Sequence, residues 1–132
     1  MQTRDEASVG MFARLINTGQ AKALASMSAV PFLVDQEIVS IPADVEDFWR
    51  VLVDSRFTVG EAALAASFPV TEASYREFAD TMEVKAFFAK YVAKGTRLLE
   101  LSTAEGRRIL LLVLEEPFGR KTIRGFKGPL TP

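Results

Sequence analysis

The stretch "RRILLLVLEE", residues 107–116, decides how this chain is expected to fold. Its centre, 109–114, is an unbroken apolar run, so a strand formed there presents apolar side chains to both faces of a sheet. Strands that are buried on both faces lie inside a sheet, not at its edge. The stretch therefore predicts a central strand.

The segments on either side of this stretch predict two further strands. Upstream, "TRLLELS" (96–102) is joined to it by "TAEG" (103–106), a glycine-bearing loop that is typical of a hairpin. Downstream, "PFG" (117–119) is predicted to turn the chain into "RKTIRGFKG" (120–128). This last strand is more polar, so we expect it at the periphery of a three-stranded meander.

In the first half of the chain, the sequence predicts three helices, with a pair of short strands between the second and the third. Apolar periodicity indicates a helix over 4–17, a shorter one ending before Pro31 and a third at 42–54, capped by Asp44. The intervening "PFLVDQEIV" (31–39) is read as two short strands about a turn. "EAALAASFPV" (61–70) follows the third helix and predicts a strand that ends at Pro69.

The segment 71–95 carries two apolar helical stripes that are out of phase. One straight helix cannot bury both stripes, so a break is expected near Asp80 and Thr81. Asp80 and Glu83 have the spacing of a capping box, and Gly95 is expected to close the second helix. Helices followed by a run of strands make the fold class α+β, over a single domain, 1–132.

The composition excludes several kinds of chemistry. The chain has no cysteine and no histidine, which excludes disulfides, thiolate zinc sites and histidine-dependent nucleophiles. A net charge of −1 gives no reason to expect a nucleic acid or an anionic membrane as partner. The polar first residues do not resemble a signal peptide, and the longest apolar run is too short to span a bilayer. We expect a cytoplasmic protein without metal or organic cofactor.

The order of these elements resembles the nuclear transport factor 2-like superfamily and its SnoaL-like branch. The resemblance is carried by "LINTGQAKAL", "PFLVDQEIV", "ADVEDFWRVL", "RRILLLVLEE" and "KTIRGFKGPL", and it covers most of the chain. It implies a cystatin-like α+β cone, in which a curved, mainly antiparallel sheet wraps around the N-terminal helices. It also implies a small apolar ligand in the cone and, frequently, a homodimer.

The chain departs from this superfamily in two ways. The helical stretch 71–94 stands where a short connection between strands is usual, and one interpretation is that it fills or lids the cone mouth. The catalytic histidine of dehydratase-like members is absent, and no residue matches a catalytic position of the other enzyme types.

Candidate binding residues come from the inward stripes of different elements. Each stripe contributes one aromatic side chain to a predicted apolar cavity, and these side chains are Phe12, Phe32, Trp49 and Phe88. The cavity is open to two interpretations, a solid core or a small, lidded ligand pocket, and the pocket is preferred.

Polar candidates each have a structural alternative. Tyr75 and Tyr91 can form an isomerase-type site with Asp80, or they can pack in the core while Asp80 caps a helix. Asp35, beside Glu37, is a candidate base if it points inward, but a solvent-exposed turn is favoured. Arg14 either reaches a pocket carboxylate or extends into solvent.

The sequence is consistent with three functions. Binding of a small apolar molecule is preferred, a homodimeric interaction module is the alternative, and a lyase or isomerase using Asp and Tyr is a distant third. A dimer is expected to form through the second face of the sheet, including Leu98 and Leu110 or their neighbours. Finally, a C-terminal excess of basic residues can bind phosphate or an acidic partner, or simply keep a strand edge solvated; these residues are Arg107, Arg108, Arg120, Lys121, Arg124 and Lys127.

Overall fold

The computed structural model of the chain describes residues 4–55, 59–103, 105–116 and 120–130. The predicted turn at 117–119 and residue 104 of the predicted hairpin loop lie outside the described residues. Among the residues that are described, no helix combines the length and apolar character needed to cross a lipid bilayer.

Four α-helices and six strands make up the described fold. The helices are α1 (Arg4–Asn17), α2 (Ala21–Met27), α3 (Pro42–Asp54) and α4 (Met82–Tyr91), with a short 3-10 helix at Ser74–Glu77. The strands are β1 (Ser28–Val34), β2 (Glu37–Val39), β3 (Val59–Pro69), β4 (Arg97–Thr103), β5 (Arg108–Glu115) and β6 (Lys121–Leu130). The α+β class is confirmed.

The six strands form one mixed sheet in the order β2-β1-β6-β5-β4-β3. All neighbours are antiparallel except β1 and β6, which run parallel. The prediction that β5 is central is confirmed, since it pairs on both sides and its residues 109–113 are buried.

The prediction that β6 is peripheral is wrong, because β6 lies between β1 and β5. Its polar side chains do not mark an edge. Arg124 donates a hydrogen bond to the carbonyl of Pro31, and the Lys127 ammonium donates one to the carbonyl of Phe78. Long basic side chains can extend from an interior strand to polar groups in this way, while their aliphatic stems cover apolar surface.

Helices α1, α2 and α3 cover one face of the sheet. Phe12 and Ile16 of α1, Leu24 of α2 and Trp49 of α3 are each at most 2% exposed. They belong to one apolar cluster with the alternate residues of the inner strands, Leu99, Leu101, Ile109 and Leu111.

The opposite face is covered by the 3-10 helix and α4. Tyr75, Val84, Phe87 and Phe88 of these helices, and Phe78 directly after the 3-10 helix, pack with the strand residues of this side, Leu33, Leu98, Leu110 and Leu112. The segment from 71 to 95 therefore lies on the second face of the sheet, and the expectation that it fills or lids the space around α1 to α3 is wrong. The physical reason is that β5 is apolar on both faces, so each face needs its own cover.

This cover also buries the two leucines that were named for the predicted dimer surface. Leu98 and Leu110 are only 4% and 3% exposed in the single chain, so they are not available to a second copy. The covering segment leaves and rejoins the sheet at one place, where the amide of Val70 donates to the carbonyl of Thr96 over 3.2 Å.

Three predicted helix caps differ from those in the structure. α3 begins at Pro42, with Ile41 in the capping position, so Asp44 lies in the first turn and does not cap. The cap of α4 is Thr81, whose hydroxyl accepts from the amide of Val84 over 3.2 Å, and not Asp80. α4 ends at Tyr91, so Gly95 (φ +95°) belongs to the turn that follows.

Candidate functional site

Three of the four predicted pocket aromatics meet on the first face of the sheet. The ring centroid of Trp49 lies 5.9 Å from that of Phe12 and 5.9 Å from that of Phe32. Phe126 of β6 joins them at 5.6 Å from Trp49. The indole N–H of Trp49 donates to the hydroxyl of Ser28 over 2.9 Å, so its one polar atom is satisfied.

This aromatic cluster is a solid core. Phe12 is 1% exposed, and Phe32 and Trp49 are 0% exposed. A void large enough for water leaves accessible surface on the side chains that line it. These three side chains have almost none, so they do not line a ligand cavity.

Phe88, the fourth predicted aromatic, lies on the opposite face of the sheet. It contacts Phe78 and Phe87, with ring centroids 5.8 Å and 6.2 Å away. Helical phase shows which side of α4 is apolar, but it does not show which face of the sheet that side covers. For this reason, grouping Phe88 with Trp49 was wrong.

Phe88 instead lines an open groove beside α4, which we call the α4 groove. Its volume is about 660 Å³, and it is bounded by Val70, Thr71, Glu72, Lys85, Phe88, Ala89, Val92, Ala93 and Lys94. Small-molecule sites in proteins typically have volumes of about 300–1,000 Å³ and mostly apolar walls with a few polar groups. The α4 groove has this character, with two lysines and one glutamate among apolar side chains.

Tyr75 lies next to the lysine side of the α4 groove. The Lys85 ammonium is 5.8 Å from the centre of the Tyr75 ring, and the Tyr75 hydroxyl accepts from Nε of Arg76 over 3.3 Å. This hydrogen bond raises the pKa of the exposed Arg76 guanidinium, with smaller contributions from the charges of Tyr75 and Asp80. Tyr75 is only 6% exposed, and it contacts one cation of the groove wall, Lys85, and one cation outside it, Arg76.

The predicted acid and tyrosine constellation is not assembled. Tyr91 packs on Phe87 at 5.6 Å, and two cations lie over its ring, Lys90 at 5.3 Å and Arg124 at 6.0 Å. In the part of the chain that the structure describes, no hydrogen bond joins Asp80 to Tyr75 or Tyr91.

Asp35 lies in a solvent-exposed turn and Arg14 on an exposed helix surface, so for both residues the alternative without a pocket role is the one observed. Asp35 is exposed in the β1–β2 turn at φ +55°, where its amide donates to the carbonyl of Phe126 and its carboxylate accepts from the amide of Gly128. Arg14 is exposed on α1. Neither residue faces a pocket with the predicted aromatics.

The sequence reading missed a polar cluster at the start of α1. The Asp5 carboxylate accepts from the hydroxyl of Ser67 and, over 3.3 Å, from Nε of Arg97, while the Arg97 guanidinium also donates to Ser67 over 2.6 Å. A cavity of about 320 Å³ adjoins it, with Arg4 and Glu115 on its wall. Residues so far apart in the chain carry no common motif, so only the fold reveals this cluster.

Within the described ranges, no group of three or more acidic side chains is placed to hold a metal ion. Comparisons of the chain with protein-family models, with curated proteins and with solved structures found no match.

Proposed function

We propose that this protein binds a small, mainly apolar molecule with an acidic group, and that the ligand lies in the α4 groove. The observation that carries this proposal is the groove itself, with its volume of about 660 Å³ and its apolar wall built on Phe88 and Val92. The Trp49 side chain is fully buried, so it does not itself line a ligand cavity.

The charges at the groove support an acidic ligand. Lys85 and Lys94 stand against the single carboxylate of Glu72, so the groove favours an anionic head group. The apolar wall favours a hydrocarbon or aromatic body, whose burial contributes about 25 cal/mol per Å². A fatty or aromatic acid combines both features.

The resemblance to the nuclear transport factor 2-like superfamily is part of this proposal. Three helices on one face of a mainly antiparallel sheet support it. The ligand position differs from the one that the resemblance implies, since the α4 groove lies on the other face of the sheet.

The test is a binding experiment with a medium-chain fatty acid, followed by the melting temperature and by calorimetry. At a hundredfold excess over Kd, binding to the folded state stabilises it by about 2.7 kcal/mol. Ala89→Trp places a bulky ring in the groove from an exposed helix position and is expected to abolish this shift. Ala86→Trp, also exposed on α4 but outside the groove wall, is the matched control and should keep it.

A second set of variants tests whether the two lysines recognise the acidic group of the ligand. Lys85→Gln and Lys94→Gln should weaken binding of the fatty acid and leave binding of the alcohol of equal chain length unchanged. Equal shifts in Ala86→Trp and Ala89→Trp, or no shift with any acid or alcohol, would overturn the proposal.

Dimerisation is the second candidate function. Phe68 of β3 is 50% exposed and is the direct cross-strand neighbour of the buried Leu98. It therefore extends the apolar second face of the sheet beyond the part that α4 covers, and a second copy of the chain can bury it.

A further inference from the structure

A second groove, separate from the α4 groove, lies where the end of α2 meets the first residues of β1 and β6. We call it the basic groove. Its volume is about 600 Å³, and its wall consists of Met11, Ser26, Met27, Ser28, Ala29, Glu116, Arg120, Lys121, Thr122 and Arg124. We propose that the basic groove binds a small organic anion, a phosphate ester or a carboxylate.

The first argument is charge. Three cations, Arg120, Lys121 and Arg124, line this groove against one carboxylate, that of Glu116. Glu116 is already occupied within the protein, since it accepts from the hydroxyl of Thr122 over 2.7 Å and lies 3.8 Å from Nε of Arg120. Glu115, which is opposite Lys121 in the β5–β6 ladder, lines the different cavity beside Asp5.

The second argument is the position of Arg124. The register between β1 and β6 shifts between Ser28 and Leu33, and there Arg124 donates to the carbonyl of Pro31 over 2.9 Å. Its guanidinium also lies 6.0 Å from the centre of the Tyr91 ring. Arg124 takes part in none of the ion pairs found among the described residues.

Arg124 is therefore a half-buried cation without a carboxylate partner. Burial lowers the pKa of its guanidinium, which means that the charged form has lost favourable hydration. Arg124 also lines the basic groove, so an anion bound there would supply a nearby opposite charge. A guanidinium can hold a phosphate or carboxylate through two parallel hydrogen bonds, which adds geometric selectivity.

The third argument concerns the remaining wall of the groove. The hydroxyls of Ser26 and Ser28 already donate to the carbonyls of Ala23 and Leu24, each over 2.8 Å. The donors left for a ligand are thus mainly the cations. Met11 and Met27 form an adaptable apolar wall, which suits an organic body better than a bare inorganic ion.

The experiment compares phenyl phosphate, benzoate and inorganic phosphate by calorimetry at constant ionic strength. We expect phenyl phosphate or benzoate to bind more tightly than inorganic phosphate, and the preferred of the two identifies the head group. Binding should also change Trp49 fluorescence, because the indole N–H donates to Ser28, which lines the groove.

Two variants and one control locate the site. Arg124→Gln and Lys121→Gln should each raise Kd by about tenfold or more, the loss expected for one charge-assisted hydrogen bond. Lys22→Gln removes an equal charge from an exposed position of α2 outside the groove and should leave Kd unchanged. If Arg124→Gln lowers the melting temperature, Lys121→Gln still tests the site.

The proposal fails if no anion binds, if Lys22→Gln weakens binding as much as Lys121→Gln, or if inorganic phosphate binds as well as the organic anions. The α4 groove is tested independently, because Ala89→Trp should leave binding in the basic groove unchanged.

Discussion

Trp49 illustrates at the scale of single residues how a buried aromatic side chain fixes the interior. It contacts rings from α1, β1 and β6, and it places its only polar atom on Ser28. Ser28 in turn donates to the carbonyl of Leu24, so the hydrogen bond joins α3 to the junction of α2 and β1. Trp49 therefore stabilises the first face both by aromatic packing and by a hydrogen bond.

Replacing Trp49 should be costly in proportion to the volume removed. Trp49→Phe keeps most ring contacts but loses the hydrogen bond to Ser28, and we expect the free energy of unfolding to fall by about 1–2 kcal/mol. Trp49→Ala leaves a large cavity and should lower it by about 3–5 kcal/mol. Urea denaturation measures both. Val51→Ala, at a position of α3 that is 68% exposed, serves as control and should change stability by less than about 0.5 kcal/mol.

The cap of α4 allows a direct comparison between sequence reading and structure. Thr81 accepts from the amide of Val84, whereas Asp80, which the sequence favoured as the cap, lies one residue too early. We expect Thr81→Ala to lower the free energy of unfolding by about 1 kcal/mol. Asp80→Ala should change it by less than about 0.5 kcal/mol in the same denaturation assay. A larger loss from Asp80→Ala would contradict the assignment of the cap.

At the scale of elements, local pattern predicted the existence and type of most helices and strands. It failed for β6, whose place in the sheet depends on a parallel pairing with β1, far away in the chain. It failed also for α4, because the phase of an apolar stripe does not tell which face of a sheet the helix covers. Both errors concern long-range partners, and both carried over to the predicted site, where Phe88 was grouped with Trp49.

Hydrogen exchange can verify the interior positions of β5 and β6. The amides of 109–113 and of 122–126 should be among the slowest to exchange, since both strands pair on each side and the sheet is covered on both faces. The outer strand β2 should exchange much faster. Exchange of β6 at the rate of β2 would mean that β6 is an edge strand after all.

At the scale of the whole molecule, the sheet separates two apolar layers of different composition. The layer with α1 to α3 is a closed aromatic core, while the layer with α4 is adjoined by an open groove. The sequence predicted the α+β class from the order of elements. It did not predict the second layer or the Asp5, Ser67 and Arg97 cluster, because both arise from contacts between distant segments.

The oligomeric state depends on the apolar surface that remains outside this second layer. If a homodimer forms, Phe68 is expected at its interface, and sedimentation at about tens of micromolar should show it. Phe68→Asn should shift the equilibrium to monomer, while Val51→Asn, on exposed α3, should not. A wild-type monomer under these conditions would remove dimerisation from the candidate functions.

The hydrogen bond between Val70 and Thr96 has a consequence for how this protein can be altered by recombination or by design. Since 71–95 departs from and returns to the same point of the β3–β4 hairpin, we expect that another segment with an apolar face can replace it without changing the strand order. A short turn in its place would leave Leu33, Leu98, Leu110 and Leu112 facing water, and the shortened protein should then associate or aggregate. The segment between β3 and β4 is therefore expected to keep this protein from associating through the second face of its sheet.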